Sequence, residues 1–433
     1  MNVAYWAARG LLPDGTRPGV VVECGEGGRI AAVRTGVERP PPGAVVLGGP
    51  DGLLLPGLVD SHSHAFHRAL RGRAAGRDFW AWRSAMYGLA GGVDPDGLLA
   101  LATAAFGELL LAGVTTVHEF HYLHHPAGMD DAVCQAARQA GIRLVLLDTC
   151  YLRAGFDDAP LDPVQRRFSD GDVGRWAGRA ERVAAANPDV TVGAAVHSVR
   201  AVDPDDMTTV AAWARDRAVP LHLHLSEQPA ENAACRAATG RTPARLAHDH
   251  GVLGPGTTAV HCTHVTDEDI ELLGSTGTAA CLCPTTERDL ADGVGPAAAL
   301  TGAGCRLRLG TDSHAVVDLF EEARAVETDE RLATGRRGHH EPAALLAAAT
   351  AGADLVPGAV ADLCAVRLDS VRLAGIDRDD PVPMLVAAAS AADVADVVVG
   401  GRHVVTGGAH VRLDVAAALR TAIAGVGEPC GTS

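Results

Sequence analysis

The stretch LLLPGLVDSHSH at residues 53–64 joins an apolar run to two histidines that are two positions apart. Residues two apart on an extended strand point to the same side, so His62 and His64 can present two imidazoles to one metal ion. Histidine pairs are common on protein surfaces, but this pair directly follows an apolar run. The stretch therefore predicts a buried strand whose carboxyl end carries metal ligands.

Eight apolar runs alternate with amphipathic segments rich in alanine and leucine from residue 53 onward. This alternation is typical of parallel strands joined by helical crossovers, and eight such units in roughly 300 residues suit a (β/α)8 barrel. The sequence therefore predicts an α/β protein in which a metal-dependent (β/α)8 TIM-like barrel of residues 53–355 is the catalytic domain. The predicted strands span residues 53–59, 113–120, 142–149, 190–197, 219–225, 257–263, 278–283 and 306–311.

Short strand candidates and glycine turns occupy both ends of the chain, before the proline-rich residues 40–42 and again after residue 355. Neither end alone can bury enough surface to be stable. We therefore predict that residues 1–52 and 356–433, including the C-terminal tail, combine into one small β-sandwich domain beside the barrel.

The chain of 433 residues has 37 arginines and no lysine. Mechanisms that use a lysine amine are therefore excluded, among them Schiff-base chemistry, a pyridoxal-phosphate anchor and the lysine of a phosphate-binding P-loop. A carboxylated lysine that bridges two metal ions is excluded as well. A metal centre in this chain must be built from other ligands.

The 53 acidic residues outnumber the arginines and give a formal net charge of −16. This charge repels nucleic acid and anionic membrane surfaces, so we expect neither as a partner. The sequence shows no membrane span and no signal peptide. Its ten dispersed cysteines fit reduced thiols better than a disulfide framework. We expect a soluble, cytoplasmic protein that acts on a small molecule.

Further polar side chains stand at the ends of later predicted strands, His224 on the fifth and Asp312 after the eighth. The carboxyl ends of barrel strands meet at one face, so His62, His64, His224 and Asp312 are predicted to hold one first-row divalent metal ion. Such an ion lowers the pKa of a bound water to about 7 and supplies hydroxide at neutral pH. Taken singly, His224 could be a core histidine and Asp312 a helix cap.

Hydrolysis also needs proton carriers near the metal ion. Glu227 lies three residues beyond His224, and His261 lies at the end of the sixth predicted strand. Both are predicted to be catalytic, because their side-chain types transfer protons and their positions place them at the same face of the barrel. His264 is better interpreted as a loop residue.

The motif PGLVDSHSH at residues 56–64, followed by His224 with Glu227, by His261 and by Asp312, resembles the amidohydrolase superfamily. The lysine-free chain is similar to the deaminase branch of that superfamily, which uses one metal ion. The resemblance implies hydrolysis of a C–N bond, one Zn²⁺ per subunit and a homodimer. It also implies that Asp312 accepts a proton from water, that His261 polarises the reacting group and that Glu227 protonates the departing nitrogen.

Four further segments resemble the N-formimino-L-glutamate deiminase family of histidine degradation. Its members convert N-formimino-L-glutamate to N-formyl-L-glutamate and ammonia, and the resemblance extends over nearly the whole chain. The segments are HSHAF at residues 62–66 with residues 68–69, FWAWR at residues 79–83, EFHYLHH at residues 119–125 and HSVRAV at residues 197–202.

The substrate of that family carries two carboxylates, and a buried carboxylate needs cationic or hydrogen-bonding partners. The resemblance implies that Arg83 and Arg200 bind these carboxylates, with further hydrogen bonds from Tyr122 and His197. His67 stands where the family has glutamine, at a position implied to contact a substrate carboxylate. Histidine can donate that hydrogen bond, but the choice between a glutamate and an aspartate derivative stays open.

Two other functions stay open. A mononuclear deaminase of the same superfamily could act on an aminated heterocycle, such as a purine, a pyrimidine or a triazine, and would not need Arg83 and Arg200. A catalytically silent binding protein would require loss of the metal or proton-transfer residues, yet all of them are present. The histidine-rich residues 118–125 are interpreted as a pocket rim rather than a second metal site, and residues 339–340 as an exposed loop.

Overall fold

The computed structural model describes residues 3–73, 79–157 and 159–426 of the chain. Cys430 lies outside these ranges, and the other nine cysteines are unpaired and buried. The strands of the described residues are β1 (Val3–Leu12), β2 (Gly15–Cys24), β3 (Ile30–Arg34), β4 (Val45–Val46), β5 (Gly52–Pro56), β6 (Leu58–Ser63), β7 (Val114–His121), β8 (Arg143–Cys150), β9 (Thr191–Val196), β10 (Leu221–Leu225), β11 (Thr257–His261), β12 (Ala279–Leu282), β13 (Leu307–Leu309), β14 (Leu363–Arg367), β15 (Val394–Val399), β16 (Arg402–Thr406) and β17 (Ala409–His410).

Helices connect the strands and cover the barrel. They are α1 (Phe79–Gly92), α2 (Pro95–Leu111), α3 (Met129–Ala140), α4 (Val173–Ala186), α5 (Pro204–Arg217), α6 (Pro229–Thr239), α7 (Pro243–Asp249), α8 (Asp267–Ser275), α9 (Pro284–Asp289), α10 (Ala297–Gly302), α11 (Leu319–Thr334), α12 (Pro342–Ala349), α13 (Val382–Ala388) and α14 (Val415–Gly425). Within the described ranges, none of these helices combines the length and the apolar character that crossing a bilayer requires.

Strands β6 to β13 form one sheet in chain order, with parallel pairing between neighbours. A parallel bridge between Ser63 and Asp312 joins the last strand end to the first. At this seam the amide of Asp312 donates to the carbonyl of His62 at 2.8 Å, and the amide of His64 donates to the carbonyl of Asp312 at 3.0 Å. The predicted (β/α)8 barrel is confirmed, and its closure places Asp312 beside His62 and His64.

The barrel strands are nearly continuous apolar runs because side chains on one face fill the barrel and those on the other pack against helices. In β8, for example, every residue from Leu144 to Cys150 is buried. Such runs carry little alternation, so their length and spacing, rather than a two-residue period, predicted them as strands.

The predicted first strand, over residues 53–59, is two strands in two sheets, so its assignment to the barrel alone was wrong. Strand β5 pairs with β1 and β14 outside the barrel, and the barrel begins only with β6. Gly57 makes the crossing, where a Cβ atom would stand 2.2 Å from the hydroxyl oxygen of Thr115. Only glycine fits there, and the Pro56-Gly57 pair in the sequence marks the break.

Both ends of the chain contribute to one further mixed sheet. Its order is β17-β16-β15-β14-β5-β1-β2-β3, with β4 paired to β1. The amino-terminal and carboxyl-terminal strands meet where β14 runs antiparallel to β5, and they share a small apolar core that includes Tyr5, Val22, Leu363 and Val398. The structure therefore confirms a small β-rich unit made from both termini beside the barrel.

Arg179 is the centre of a buried ionic network beneath helix α4. Its guanidinium lies 2.7 Å from Asp148, 3.1 Å from Asp130 and 2.9 Å from Asp170, and its side chain is 7% exposed. His124 joins Asp130 through Nδ1 at 2.8 Å. The network ties α3, α4 and β8 together, because each carboxylate comes from a different segment.

We expect Arg179→Met to lower the free energy of unfolding by about 3–5 kcal/mol, because it leaves several buried carboxylates without their cation. Arg182→Met is the matched control on the same helix, since Arg182 is exposed and, within the described ranges, donates only to its own helix at Gly178. Denaturant unfolding of both variants measures the difference. Equal stability of the two variants would contradict a structural role for the network.

Candidate active site

All four predicted metal ligands converge at the carboxyl end of the barrel. Nε2 of His224 lies 3.1 Å from Nε2 of His62 and 3.3 Å from Nε2 of His64. Asp312 Oδ1 lies 3.2 Å from Nε2 of His62 and 3.3 Å from Nε2 of His64. Ligand atoms about 2.0–2.1 Å from one tetrahedral zinc ion are separated by roughly 3.3 Å, so the four atoms have the spacing of a single zinc site.

Hydrogen bonds on the far side of the rings fix the tautomers of two of these histidines. Nδ1 of His64 donates to the carbonyl of Phe120 at 2.8 Å, and Nδ1 of His224 donates to the carbonyl of His197 at 3.0 Å. Both neutral rings then present a lone pair, rather than a proton, from Nε2. Two lone pairs at 3.3 Å repel each other unless a cation lies between them, so the donor set fits a divalent metal ion.

Asp60 holds the segment after β13 that contains Asp312. Its carboxylate accepts hydrogen bonds from the amide of Thr311 at 3.0 Å and from the hydroxyl of Thr311 at 2.6 Å. Asp312 itself has φ = 45°, a left-handed conformation that a non-glycine residue adopts only when its surroundings impose it. Asp60 therefore positions Asp312, a role that its place in the strand-end motif did not reveal.

A second buried carboxylate, Glu119, holds the two residues that flank His64. It accepts a hydrogen bond from the Ser63 hydroxyl at 2.7 Å and one from the Ala65 amide at 2.7 Å. His314 lies 2.9 Å from the same hydroxyl. Burial raises the pKa of Glu119 to about 7. Glu119 and His314 were not predicted as site residues, although Glu119 begins the segment at residues 119–125 and His314 lies two residues after Asp312.

Glu227 and His261 lie together beside the metal group. Nε2 of His261 is 3.8 Å from Glu227, and its Nδ1 is 3.4 Å from Glu287. Burial opposes protonation of His261, but the carboxylates of Glu227, Glu287 and Asp312 outweigh it and raise its pKa well above the usual range. Burial raises the pKa of Glu227, against the lowering effect of His261 and Arg200. Glu287, from helix α9, was missed because it comes from a different barrel unit.

The metal group opens into a pocket of about 570 Å³, including the part open to solvent. All of the predicted substrate-binding residues line it, and so do all of the predicted catalytic and metal residues except His62, which lies beneath. Several aromatic and apolar side chains that the sequence did not single out complete its wall. The lining residues are His64, His67, Trp82, Arg83, Met86, Tyr87, Tyr122, Tyr151, Phe168, His197, Arg200, His224, Glu227, His261, Leu290 and Asp312.

Two arginines face this pocket from different elements. Arg83, on α1, donates to the hydroxyl of Tyr87 at 2.7 Å. Arg200 follows β9, and no residue in the described ranges forms a hydrogen bond or ion pair with its side chain. Burial lowers the pKa of Arg200, but nearby groups that include Tyr151 and Glu231 outweigh that effect and raise it. The pocket therefore contains a guanidinium that is available to an anionic ligand.

His67 and Tyr122 form a hydrogen-bonded pair at the pocket wall. Nε2 of His67 lies 2.8 Å from the Tyr122 hydroxyl, and Nδ1 of His67 is buried without a partner among the described residues. Burial, followed by the charge of His64, lowers the pKa of His67 well below its usual value. The ring is therefore neutral at neutral pH and can offer one further hydrogen bond, but no positive charge.

His121, His124 and Asp130 form a second group with metal-like spacing. Its surroundings favour an ion-pair network instead, because the guanidinium of Arg179 already forms an ion pair with the carboxylate of Asp130. Nε2 of His124 lies 2.9 Å from the carbonyl of Thr149, which requires a proton on that nitrogen. We therefore assign this group to the structural network beneath α4.

Removing the metal ion should abolish hydrolysis and lower the melting temperature by about 5 °C or more, because the four converging donors then repel one another. Adding zinc to the chelated protein should restore both properties, which thermal unfolding and metal analysis measure. His224→Ala should lose the stabilisation by zinc, whereas His248→Ala, at a partly exposed histidine outside the group, should keep it. A zinc response that survives His224→Ala would contradict this assignment.

Comparison with known proteins adds an independent observation. The amidohydrolase family model matches residues 53–404 of the chain. The formimidoylglutamate deiminase of Pseudomonas aeruginosa is 34% identical over 441 aligned residues, which cover 94% of this chain and 95% of that relative. The 8-oxoguanine deaminase of the same species is 31% identical and covers 96% of this chain and 95% of its own length.

A solved structure extends the likeness to three dimensions. The crystal structure of an adenosine deaminase from Xanthomonas campestris with bound zinc is similar with a TM-score of 0.84 and 25% sequence identity, covering 97% of this chain and 96% of that chain. The family model covers well over half of the sequence, including the histidine pair, the strand-end residues and the whole barrel. The chain therefore belongs to the amidohydrolase family.

Proposed function

We propose that this protein hydrolyses N-formimino-L-glutamate to N-formyl-L-glutamate and ammonia, a step of histidine degradation, with one zinc ion per subunit. The observation that carries the proposal is that Arg83 and Arg200 line the same pocket as the metal group and its proton carriers. Two guanidinium groups match the two carboxylates of this substrate. The 34% identity to a formimidoylglutamate deiminase supports the same assignment.

The charges of pocket and substrate are complementary. The substrate brings two carboxylates and one formamidinium, and the pocket is lined by Arg83 and Arg200 and, at the metal group, by Glu227 and Asp312. A planar guanidinium can bind a carboxylate through two parallel hydrogen bonds, which fixes orientation as well as charge. The formamidinium end is then directed toward the acidic end of the pocket. This orientation concentrates the reacting carbon where the proton carriers lie.

The reaction adds one water to the formimino carbon and releases one ammonia. The bond from carbon to water oxygen forms as the C=N bond becomes single, and the bond to the terminal nitrogen then breaks as the carbonyl forms. Asp312 accepts a proton from the water, and Glu227 delivers a proton to the terminal nitrogen, so that it departs as ammonia. His261, held between Glu227 and Glu287, stabilises the charge that develops at the reacting centre.

His62, His64, His224 and Asp312 would hold the metal ion. Bound there, a divalent ion supplies Lewis acidity and lowers the pKa of a water so that it can act as a nucleophile near neutral pH. The neighbouring aromatic wall of Trp82, Tyr122 and Phe168 limits the space for bulk water beside that centre.

One observation favours a second candidate function, deamination of an aminated heterocycle. The pocket wall contains five aromatic side chains, and an aromatic wall can stack on a planar ring. The 31% identity to 8-oxoguanine deaminase points the same way. Against it, a neutral heterocycle offers Arg200 no anionic partner among the pocket contents, which costs free energy in a largely buried site.

A substrate screen with zinc-loaded protein distinguishes the candidates. Release of ammonia is measured with N-formimino-L-glutamate, N-formimino-L-aspartate, adenosine and 8-oxoguanine, and N-formyl-L-glutamate is identified by mass spectrometry. We expect turnover of N-formimino-L-glutamate to exceed the others by orders of magnitude. Preferred turnover of either purine would contradict the proposal and favour the second candidate. Preferred turnover of the aspartate derivative would indicate that a pocket with His67 selects the shorter acid.

A further inference from the structure

The interior of the barrel beneath the metal group is polar. His118 on β7 and His222 on β10 face each other there, with Nδ1 of His118 3.5 Å from Nε2 of His222. Arg308 on β13 is paired in register with Cys281 of β12. Burial lowers the pKa of both His118 and His222, and the charge of Arg308 lowers each further.

The charge of Arg308 is unpaired within the part of the chain that the structure describes. None of the described residues forms a hydrogen bond or an ion pair with its side chain, and its Nε is buried without an acceptor. Burial lowers the pKa of the guanidinium, and the neighbouring charge of Arg306 lowers it further. A partly buried cation that faces a second cation is costly unless an anion is present.

The side chain of Arg308 also lines a cavity at the amino-terminal end of the barrel. Arg308 lies four residues before Asp312 in the chain, so this cavity is on the side of the barrel away from the active site. Arg306, His339 and His340 line this cavity with Arg308, and Glu341 is its one carboxylate among the described residues. Residues 339–340 lie in a loop as predicted, but the prediction that they are exposed was wrong, since both histidines are half-buried. Alanines of α12 form its apolar wall.

Both histidines are held in place by neighbouring groups. Nε2 of His339 lies 2.8 Å from the hydroxyl of Thr334, and Nε2 of His340 lies 3.1 Å from Glu330. The amide of His340 also donates to Glu327 at 2.9 Å. The cavity is therefore a built feature of the fold, with two histidines held in fixed orientations on its wall and the side chain of Arg308 beside them.

We propose that this cavity binds a small oxyanion, a phosphate or a carboxylate, through the guanidinium of Arg308. The planar fork of arginine matches two oxygens of either group, and Arg306 adds a second positive charge at the cavity wall. The apolar alanine wall accommodates a short carbon chain attached to the anion. This site is separate from the pocket that holds Arg83 and Arg200, and it does not depend on the proposed reaction.

The test compares thermal unfolding of zinc-loaded wild type, Arg308→Gln and Arg200→Gln in buffers with and without inorganic phosphate or succinate. Arg200→Gln is the matched control, because it removes one of the two arginines through which an anion could bind in the active site instead. We expect either anion, or both, to raise the melting temperature of wild type and of Arg200→Gln by about 2 °C or more, and to raise that of Arg308→Gln by clearly less, because only the active site then remains to bind the anion. The anion that produces the shift identifies whether phosphate or carboxylate is the ligand.

Without added anion, Arg308→Gln should be at least as stable as wild type, because it removes an unpaired charge from a partly buried position. An equal anion response in wild type and Arg308→Gln would overturn the proposal, and so would the absence of a response to both anions. If Arg308→Gln does not fold, crystals of the unmodified protein soaked in selenate decide the question. An anomalous peak at the Arg308 guanidinium is the expected result, and peaks only elsewhere would overturn it.

Discussion

Glu227→Gln is expected to lower kcat for the preferred substrate by about 100- to 10,000-fold while leaving the zinc content unchanged. The amide is close in size to the carboxylate but cannot accept and deliver a proton. Glu227 lies 3.8 Å from His261 and lines the pocket without belonging to the group of four ligand atoms. The loss should therefore fall on the chemical step rather than on metal binding.

Glu231→Gln provides the control for this variant. Glu231 lies four residues further along, at the start of α6, and burial raises its pKa to about 7, but it does not line the pocket. It should keep kcat within a few-fold of wild type. Steady-state kinetics with metal analysis of both variants measures the contrast. If Glu227→Gln retained wild-type kcat at full zinc content, Glu227 would not be the proton carrier.

The strand-end residues of the site could be predicted because a barrel converts sequence position into spatial position. Each parallel strand ends at the same face, so His62, His224 and Asp312 had to approach one another once the eight runs were recognised as strands. The order of the apolar runs along the chain is enough to predict this convergence, and no interatomic distance is needed. The observed separations of 3.1–3.3 Å between the ligand atoms are the consequence.

The residues that position these ligands could not be predicted in the same way. Asp60 bonds to Thr311 across the barrel seam, and Glu287 approaches His261 from the next unit of the barrel. The sequence around a carboxylate in a strand or a helix does not indicate which distant residue that carboxylate contacts. The aromatic wall is a similar case, since Tyr151 and Phe168 come from separate loops with no shared motif.

The break between β5 and β6 shows the limit of apolar patterns. Residues 53–59 are apolar throughout, and burial alone does not say in which of two sheets a strand lies. The sheet to which β5 belongs is decided by β1 and β14, which flank β5 and come from opposite ends of the chain. Pro56 and Gly57 were the available signal, because proline ends ladder pairing and glycine permits close approach.

Arg200→Gln and Arg83→Gln are each expected to lower kcat/KM for N-formimino-L-glutamate by about 30- to 1,000-fold, because each leaves one buried carboxylate of the substrate without its cation. A surface substitution, Arg182→Gln, should change kcat/KM less than two-fold, because Arg182 is exposed on α4 and far from the pocket wall. Loss of activity alone, however, does not show which carboxylate each arginine binds.

Two substrate amides resolve that assignment through a double-mutant cycle. N-formimino-L-glutamine lacks the side-chain carboxylate, and N-formimino-L-isoglutamine lacks the α-carboxylate. An arginine that binds one carboxylate has no charge left to bind in the matching amide, so its replacement should cost little with that amide and the full amount with the other. Arg83 and Arg200 should therefore show opposite patterns. If both variants lost the same factor with every substrate, the arginines would act through the shape of the pocket, and the two-carboxylate basis of the proposed function would fail even though the metal centre remained intact.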